Sequence, residues 1–167
     1  MKRAYWIIQN RQILLIIFLL IFGVFFRLIL TREGNFIFNM DNARDLVDIR
    51  EMIVLPKLRL IGPTSGIDGI YNGPGWYYLL AVPFILSSGH PYSAVVLLIF
   101  LWAVGGFFLL RLTSRYGLLA ILTIGAIWIS SNYVVLATLY SFNPNPVILL
   151  TPLVIFLLEQ YFRTSFL

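Results

Sequence analysis

Long apolar runs alternate with short polar breaks along most of this chain. The first run follows MKRAYWIIQNRQ and covers about residues 13–30. That is close to the roughly 20 residues needed to cross a bilayer core. A basic start ahead of an apolar run resembles a signal peptide. This run is longer than a typical signal core, however, and no small-x-small cleavage site follows it. It reads as a retained first transmembrane helix. Further runs at 91–111, 117–138 and 145–162 each predict a span. The run GWYYLLAVPFILS at 75–87 is only about 13 residues long and contains Pro83, which breaks or kinks a helix interior. It predicts an interfacial or re-entrant helix that does not cross.

Between the first span and residue 75 the pattern changes. MDNARDLVDIREM, residues 40–52, packs six charged residues into eleven positions. Asp41, Arg44, Asp45 and Asp48 recur at i, i+3, i+4 and i+7 and so share one helical face, while Leu46, Ile49 and Ile53 share another. The spacing predicts an amphipathic helix over about 41–55, flat on the outer membrane surface and ended by Pro56. Arg44 and Asp48 make an i,i+4 pair in the less favoured orientation. Asp41 also fits a helix N-cap, and the charged face also fits plain solvation. Next, Gly62, Gly66, Gly69, Gly73 and Gly75 with Pro63 and Pro74 predict a tight, folded loop. It lacks the Gly-Lys-Ser/Thr of a phosphate-binding Walker loop. Trp76, Tyr77 and Tyr78 head the short helix, where aromatics suit the membrane interface.

Composition turns these runs into a class. Of 167 residues, 60% are hydrophobic and 11% charged, and mean hydropathy is +0.90. Soluble domains carry about 25% charged residues, so this is an integral membrane protein. The absence of cysteine excludes disulfides and thiolate metal sites. The one histidine, His90, cannot build a metal cluster alone and reads as a turn residue. The net charge of +5 bears on orientation rather than on nucleic acid. Lys2, Arg3 and Arg11 precede the first span, Arg111 and Arg115 lie between the second and third, and Arg163 follows the fourth. With 75–87 not crossing, all of these fall on the cytoplasmic side. The loop over 31–90 is then external, with five basic and six acidic residues. The plan is one all-α domain in the plasma membrane. It has a cytoplasmic N-terminus over 1–12, four spans, and two surface helices in a large first external loop. The turn around 140–146 is also external, and its Asn143 and Asn145 would cap a helix or line a polar pocket, without the charge of a divalent-metal site. Arg27, near the outer end of the first span, would snorkel or face a polar cavity. Glu159 would be interfacial.

The arrangement resembles the N-terminal part of a GT-C glycosyltransferase, in the branch of bacterial aminoarabinose transferases and protein O-mannosyltransferases. The residues that carry the resemblance are Asp41-Asn-Ala-Arg44, then Arg50-Glu51-Met52, then Asn72-Gly73-Pro74-Gly75-Trp76-Tyr77-Tyr78, with Gly62-Pro63 and Asn143-Pro144. It covers about residues 13–162 and implies a polyprenyl-phosphate-linked sugar as donor, with a lipid, glycan or protein as acceptor and no nucleic acid. It makes Asp41 the general base for the acceptor hydroxyl. Arg44 or Arg50 would grip the leaving phosphate by forked hydrogen bonds. Asp45, Asn72, Trp76 and Tyr77 would complete the substrate site, with no cofactor and no metal. The sequence departs from the family at 141–146, which lacks acidic residues, at Asn72, where some relatives carry an acid, and in having fewer spans. The expectation is therefore a fragment, or a chain that needs a second one. A non-catalytic subunit or degenerate remnant, whose external loop binds a partner, is the rival reading. A transporter element is a third, against which the nearly charge-free spans argue.

Overall fold

The computed structural model describes residues 2–67 and 69–165, and of residues 2–9 the backbone alone. Asp68, one of the six loop acids counted above, and the side chains of Lys2 and Arg3 lie outside the described residues. The described residues form seven α-helices and no strand. They are α1 (Lys2–Thr31), α2 (Met40–Val54), α3 (Gly75–Leu86), α4 (Tyr92–Thr113), α5 (Leu118–Ser130), α6 (Asn132–Leu139) and α7 (Asn145–Ser165). Three stretches are helical, long and apolar enough to cross a membrane, namely Asn10–Gly34, Tyr92–Tyr116 and Asn145–Ser165. Together with the bent pair of α5 and α6 they make up to four spans. The chain has the build of a multi-pass membrane protein.

α1 continues N-terminal of the first span through residues 2–12, which contain neither glycine nor proline. One expectation needs correction. The third span is not one helix. Ser131 is extended (φ −57°, ψ 119°) and divides α5 from α6, whose axes meet at 50°. The local sequence Ser130-Ser131-Asn132 supplies side chains that compete for backbone partners. Ser130 does so, donating its hydroxyl to the carbonyl of Ala126 at 2.8 Å.

α4 is the central helix and packs against α1, α3, α5, α6 and α7. Its closest partner is α7. A Cβ on Gly105 would sit 1.8 Å from the carbonyl oxygen of Leu149, so only glycine lets these two backbones meet. The main core runs from Ile49 of α2 through Tyr77 and Leu80 of α3 to Leu98 and Trp102 of α4 and Leu149 of α7. The two loop helices are thus anchored into the bundle. Ile49 is fully buried and Leu46 packs beside it, so this part of the apolar face expected to lie on the membrane packs on protein, while Ile53 stays exposed.

The polypeptide leaves α1 and enters α4 at the same end, where Thr31 Oγ1 and the Tyr92 hydroxyl are 2.6 Å apart. α3, of 12 residues, spans about 18 Å at 1.5 Å per residue, well short of a core about 30 Å thick. α2, α3 and the turn at 140–144 therefore share this loop end. At the opposite end Gln12 donates to the carbonyl of Ser114 (2.8 Å), and Glu159 pairs with both Arg115 (2.5 Å) and Arg163 (2.8 Å).

Arg27 neither snorkels nor faces a polar cavity. It is fully buried, with its guanidinium 3.8 Å from the centre of the Trp102 ring. Its Nη2 donates to the carbonyls of Trp128 and Ile129 at 3.4 Å, at the bend between α5 and α6. Trp102 and Trp128 stack and exchange indole N–H bonds to each other's carbonyls at 3.3 Å.

Candidate functional site

Three short pieces of backbone meet at the loop end. The first is the start of α2. Asn39 is its N-cap, and a capping box forms. The Asn39 side chain accepts from the Asn42 N–H (3.2 Å), and the Asn42 side chain accepts from the Asn39 N–H (2.9 Å). Asp41 is therefore not the cap. It lies inside the first turn, where its charge meets the positive end of the helix dipole. The second piece is the turn after α6. Asn42 Nδ2 donates to the carbonyl of Ser141, Asn39 Nδ2 to the Tyr140 hydroxyl (2.9 Å), and the Ile37 N–H to the carbonyl of Leu139 (3.0 Å). The third is the glycine-rich loop, which folds back on itself. Gly62 N–H donates to the Asn72 carbonyl (3.0 Å) and Asn72 N–H to the Pro63 carbonyl (2.9 Å). A Cβ on Gly62 would come within 2.2 Å of the Gly73 carbonyl oxygen, so the fold-back needs glycine there.

These pieces enclose a cleft of about 460 Å³. Asp41, Arg44 and Asp45 line one wall, residues 63–66 and Asn72 the second, and residues 141–144 the third. Arg44 sits at the centre of the charges. It donates Nη1 to Asp41 Oδ1 (2.9 Å) and to Thr64 Oγ1 (3.2 Å), and Nη2 and Nε to Asp45 Oδ1 (3.0 and 3.3 Å). With two carboxylates against one guanidinium, the cleft is negative when both acids are ionised. The Asp45 carboxyl is buried and also accepts from Trp76 Nε1 at 2.9 Å. Burial pushes its pKa up, the bonds from Arg44 and Trp76 pull it down, and the net direction is upward. Burial pulls the Arg44 pKa down, but the bond to Asp45 and the charges of Asp45 and Asp41 raise it overall, so the cation is firmly held.

Below the cleft a second set of bonds ties α2 to α3. The Tyr77 hydroxyl donates to Asp48 Oδ2 at 2.7 Å, and Arg59 pairs with both Asp48 and Glu51 at 2.9 Å. Burial and the neighbouring Asp48 charge push the Tyr77 phenol upward, which keeps it a neutral donor.

Four residues singled out from the sequence, Asp41, Arg44, Asp45 and Asn72, line one cleft. Trp76 and Tyr77 lie outside it and hold Asp45 and Asp48 in place. Arg50 is exposed, away from the cleft, and has no acidic partner among the described residues. The Arg44–Asp48 pair does not form, because Asp45 takes Arg44 and Arg59 takes Asp48. Asn143 lines the cleft, whereas Asn145 is buried and holds the turn by donating to the Tyr140 carbonyl at 2.7 Å. His90 stands apart between α3 and α4, where its Nδ1 accepts from the Tyr92 N–H. Sequence reasoning missed Thr64, Ser141 and Arg59. Thr64 and Ser141 have no periodicity to mark them, and Arg59 finds its acids only through the tertiary fold. Among the described residues, no group of three or more His, Cys, Asp or Glu side chains is placed to hold a metal ion. Comparison of the chain with protein-family models, with curated proteins and with solved structures gave no match.

Proposed function

We propose that this chain carries the membrane-surface site of a GT-C-type glycosyltransferase, which moves a sugar from a polyprenyl-phosphate donor to an acceptor at the outer face of the plasma membrane. The observation that carries the reading is the cleft at the loop end of an apolar bundle, with the exposed carboxylate of Asp41 among hydroxyl and amide groups. An acceptor hydroxyl oxygen attacks the anomeric carbon. The bond from that carbon to the phosphate oxygen breaks, and the lipid phosphate leaves with the electron pair. The hydroxyl proton passes to Asp41, whose Oδ1 is held by Arg44. The sidedness is supported by charge. Arg11, Arg111, Arg115 and Arg163 belong to the end away from the cleft, the pattern of a cytoplasmic face, which supports a cytoplasmic N-terminus.

One observation favours the rival, a non-catalytic subunit whose loop binds a partner. The donors of Arg44 are already directed at Asp41, Asp45 and Thr64, so a phosphate must displace one of them. The two readings part at Asp41→Asn. The assay is transfer of labelled sugar from a polyprenyl-phosphate donor to membrane acceptors, with the chain in lipid nanodiscs together with membranes of its source cells. The glycosyltransferase reading expects Asp41→Asn to lower transfer by roughly 10²–10⁴-fold with unchanged thermal unfolding. Undiminished transfer refutes the base. No transfer by the native chain, under conditions where it is folded, favours the subunit.

A further inference from the structure

α2 has three faces. Asn42, Asp45 and Ile49 are buried against the rest of the protein. Asp41, Arg44, Asp48 and Glu51 form the charged flank, and each has an ion-pair partner. The third flank repeats at seven residues: Met40, Val47 and Val54, with Ala43 and Arg50 between them. Met40 is 87% exposed, Val47 56% and Val54 66%. An apolar ridge of this kind left uncovered beside a folded core marks an interaction surface.

The choice of occupant follows from charge. Arg32 pairs with Glu33, Arg44 with Asp41 and Asp45, and Arg59 with Asp48 and Glu51. Among the described loop residues, only Arg50 and Lys57 are cations without an acidic partner. Both stand among exposed aliphatics, Arg50 between Val47 and Val54 and Lys57 beside Leu58. A second copy of this chain is a poor occupant, because every described loop acid already has a partner within its own chain. A water-filled setting fits no better. α3, on which α2 packs, has no charged residue, and its outward side is Val82, Ile85 and Leu86. Aliphatic side chains below, with unpaired cations among them, suit the acyl and headgroup layers of an anionic bilayer.

We propose that the Met40–Val47–Val54 flank of α2 is a lipid-contact surface, and that Arg50 and Lys57 bind the phosphates of anionic phospholipids. This orientation differs from a helix resting on its Ile49 face, since that face belongs to the protein core. The lipid holds α2 from outside while Asp45, Trp76 and Ile49 hold it from inside. The tilt of the cleft's α2 wall therefore depends on the bilayer.

The chain has no cysteine, so single labels are clean. Val47→Cys, Val54→Cys and, on the cleft rim, Gly66→Cys carry a bimane label. The protein is placed in nanodiscs of phosphatidylcholine alone or in an equal mixture with phosphatidylglycerol. Labels at 47 and 54 are expected to be quenched by lipid-borne nitroxide and shielded from aqueous iodide, and the label at 66 the reverse. Annular lipid counted by mass spectrometry is expected to be enriched in phosphatidylglycerol, by about five-fold for each engaged cation. The double variant Arg50→Gln, Lys57→Gln should return it to the ratio supplied. Iodide reaching residue 47 as freely as residue 66 overturns the proposal. So does shielding of residue 47 from both quenchers, which means that protein covers the flank. A native protein that does not enrich phosphatidylglycerol removes the anionic part.

Discussion

Replacing Arg27 by leucine takes out a guanidinium that is buried among apolar helices without any acid beside it. Its importance comes from the bend at Ser131. The last carbonyls of a helix lack intrahelical donors, and inside an apolar bundle no water replaces them. Arg27 and Trp102 both donate to the Trp128 carbonyl, and Arg27 alone among side chains donates to that of Ile129. Besides a bond from Nη1 to the Gly23 carbonyl of its own helix at 3.3 Å, the two bonds from Arg27 to the bend are long, 3.4 Å, and fall near the low end for interhelical bonds in membranes, about 0.6 kcal/mol each. The contact with Trp102, at 3.8 Å, is of the desolvated kind, worth about 2 kcal/mol. Leaving the Ile129 carbonyl unpaired costs about 1–2 kcal/mol more. Against this, Nε of Arg27 has no partner, and relieving a charge inside the membrane returns up to about 3 kcal/mol. The losses exceed the gain, and Arg27→Leu should destabilise the fold by about 1–2 kcal/mol.

Lysine sharpens the test. It keeps the charge but not the flat fork that stacks on an indole and reaches two carbonyls, and ammonium is the more strongly hydrated ion. Arg27→Lys should therefore be at least as unstable as Arg27→Leu. The assay is unfolding by SDS in mixed micelles, followed by the near-ultraviolet circular dichroism of the stacked Trp102–Trp128 pair. If Arg27→Leu matches or exceeds the native stability while that signal is unchanged, the burial cost outweighs the contacts and the reasoning fails.

The other expectations use the same unfolding assay. Gly105→Ala should cost more than about 2 kcal/mol, because the new methyl meets the Leu149 backbone rather than a side chain that can turn aside. Gly66→Ala, with nothing within 4 Å, should be nearly silent. Asn39→Ala should cost about 1 kcal/mol through loss of the cap of α2, and no loss would show that the turn at 139–141 alone holds the helix start. The raised pKa of Asp45 means that, above its ordinary 3.8, the unfolded chain gives up its proton before the folded one does. Stability should then fall as pH rises through that window and level off once the folded carboxyl has ionised. The difference between the native chain and Asp45→Asn isolates this slope, and an absent or opposite slope would contradict the burial argument.

The spans and loop helices were legible because each is a run of one character with a clear stop. The run at 145–162 became Asn145–Ser165, the short run at 75–87 became Gly75–Leu86, and the charged helix expected over 41–55 became Met40–Val54. The bend at Ser131 was not legible, since residues 126–138 around it contain neither glycine nor proline. It exists because Arg27 and the tryptophan pair accept its cost from other helices. The N-cap was misplaced by two residues for a local reason. Asn39 and Asn42 make a capping box without the usual Ser/Thr and Glu/Gln, so the aspartate between them drew attention. For the cleft, α2 gave its wall through periodicity, and the turn at 141–144 was marked only by Asn143-Pro144. The partners of Arg44 and Asp48 were set by Arg59 and Trp76, whose positions depend on the packing of α3.

The energetics of Arg44 indicate which acid of the cleft is free to act. Its bond to Asp41 lies at the surface, where such a pair is worth about 0–1 kcal/mol. Its bond to Asp45 is to a buried carboxyl, and removing the partner of a buried charge costs about 3–5 kcal/mol. A ligand entering the cleft therefore separates Arg44 from Asp41 well before it separates Arg44 from Asp45. Asp45 and Trp76 act as the fixed mount of the guanidinium, and Asp41 is the group released. A carboxylate that gives up its ion pair at small cost, at the mouth of a cleft rich in hydroxyls and amides, is suited to take a proton from an incoming hydroxyl. A phosphate must instead compete with Asp45 for the same guanidinium. On these grounds the proposed transfer would rest on Asp41 as proton acceptor, while Arg44, mounted on Asp45, is poorly placed to hold the leaving phosphate.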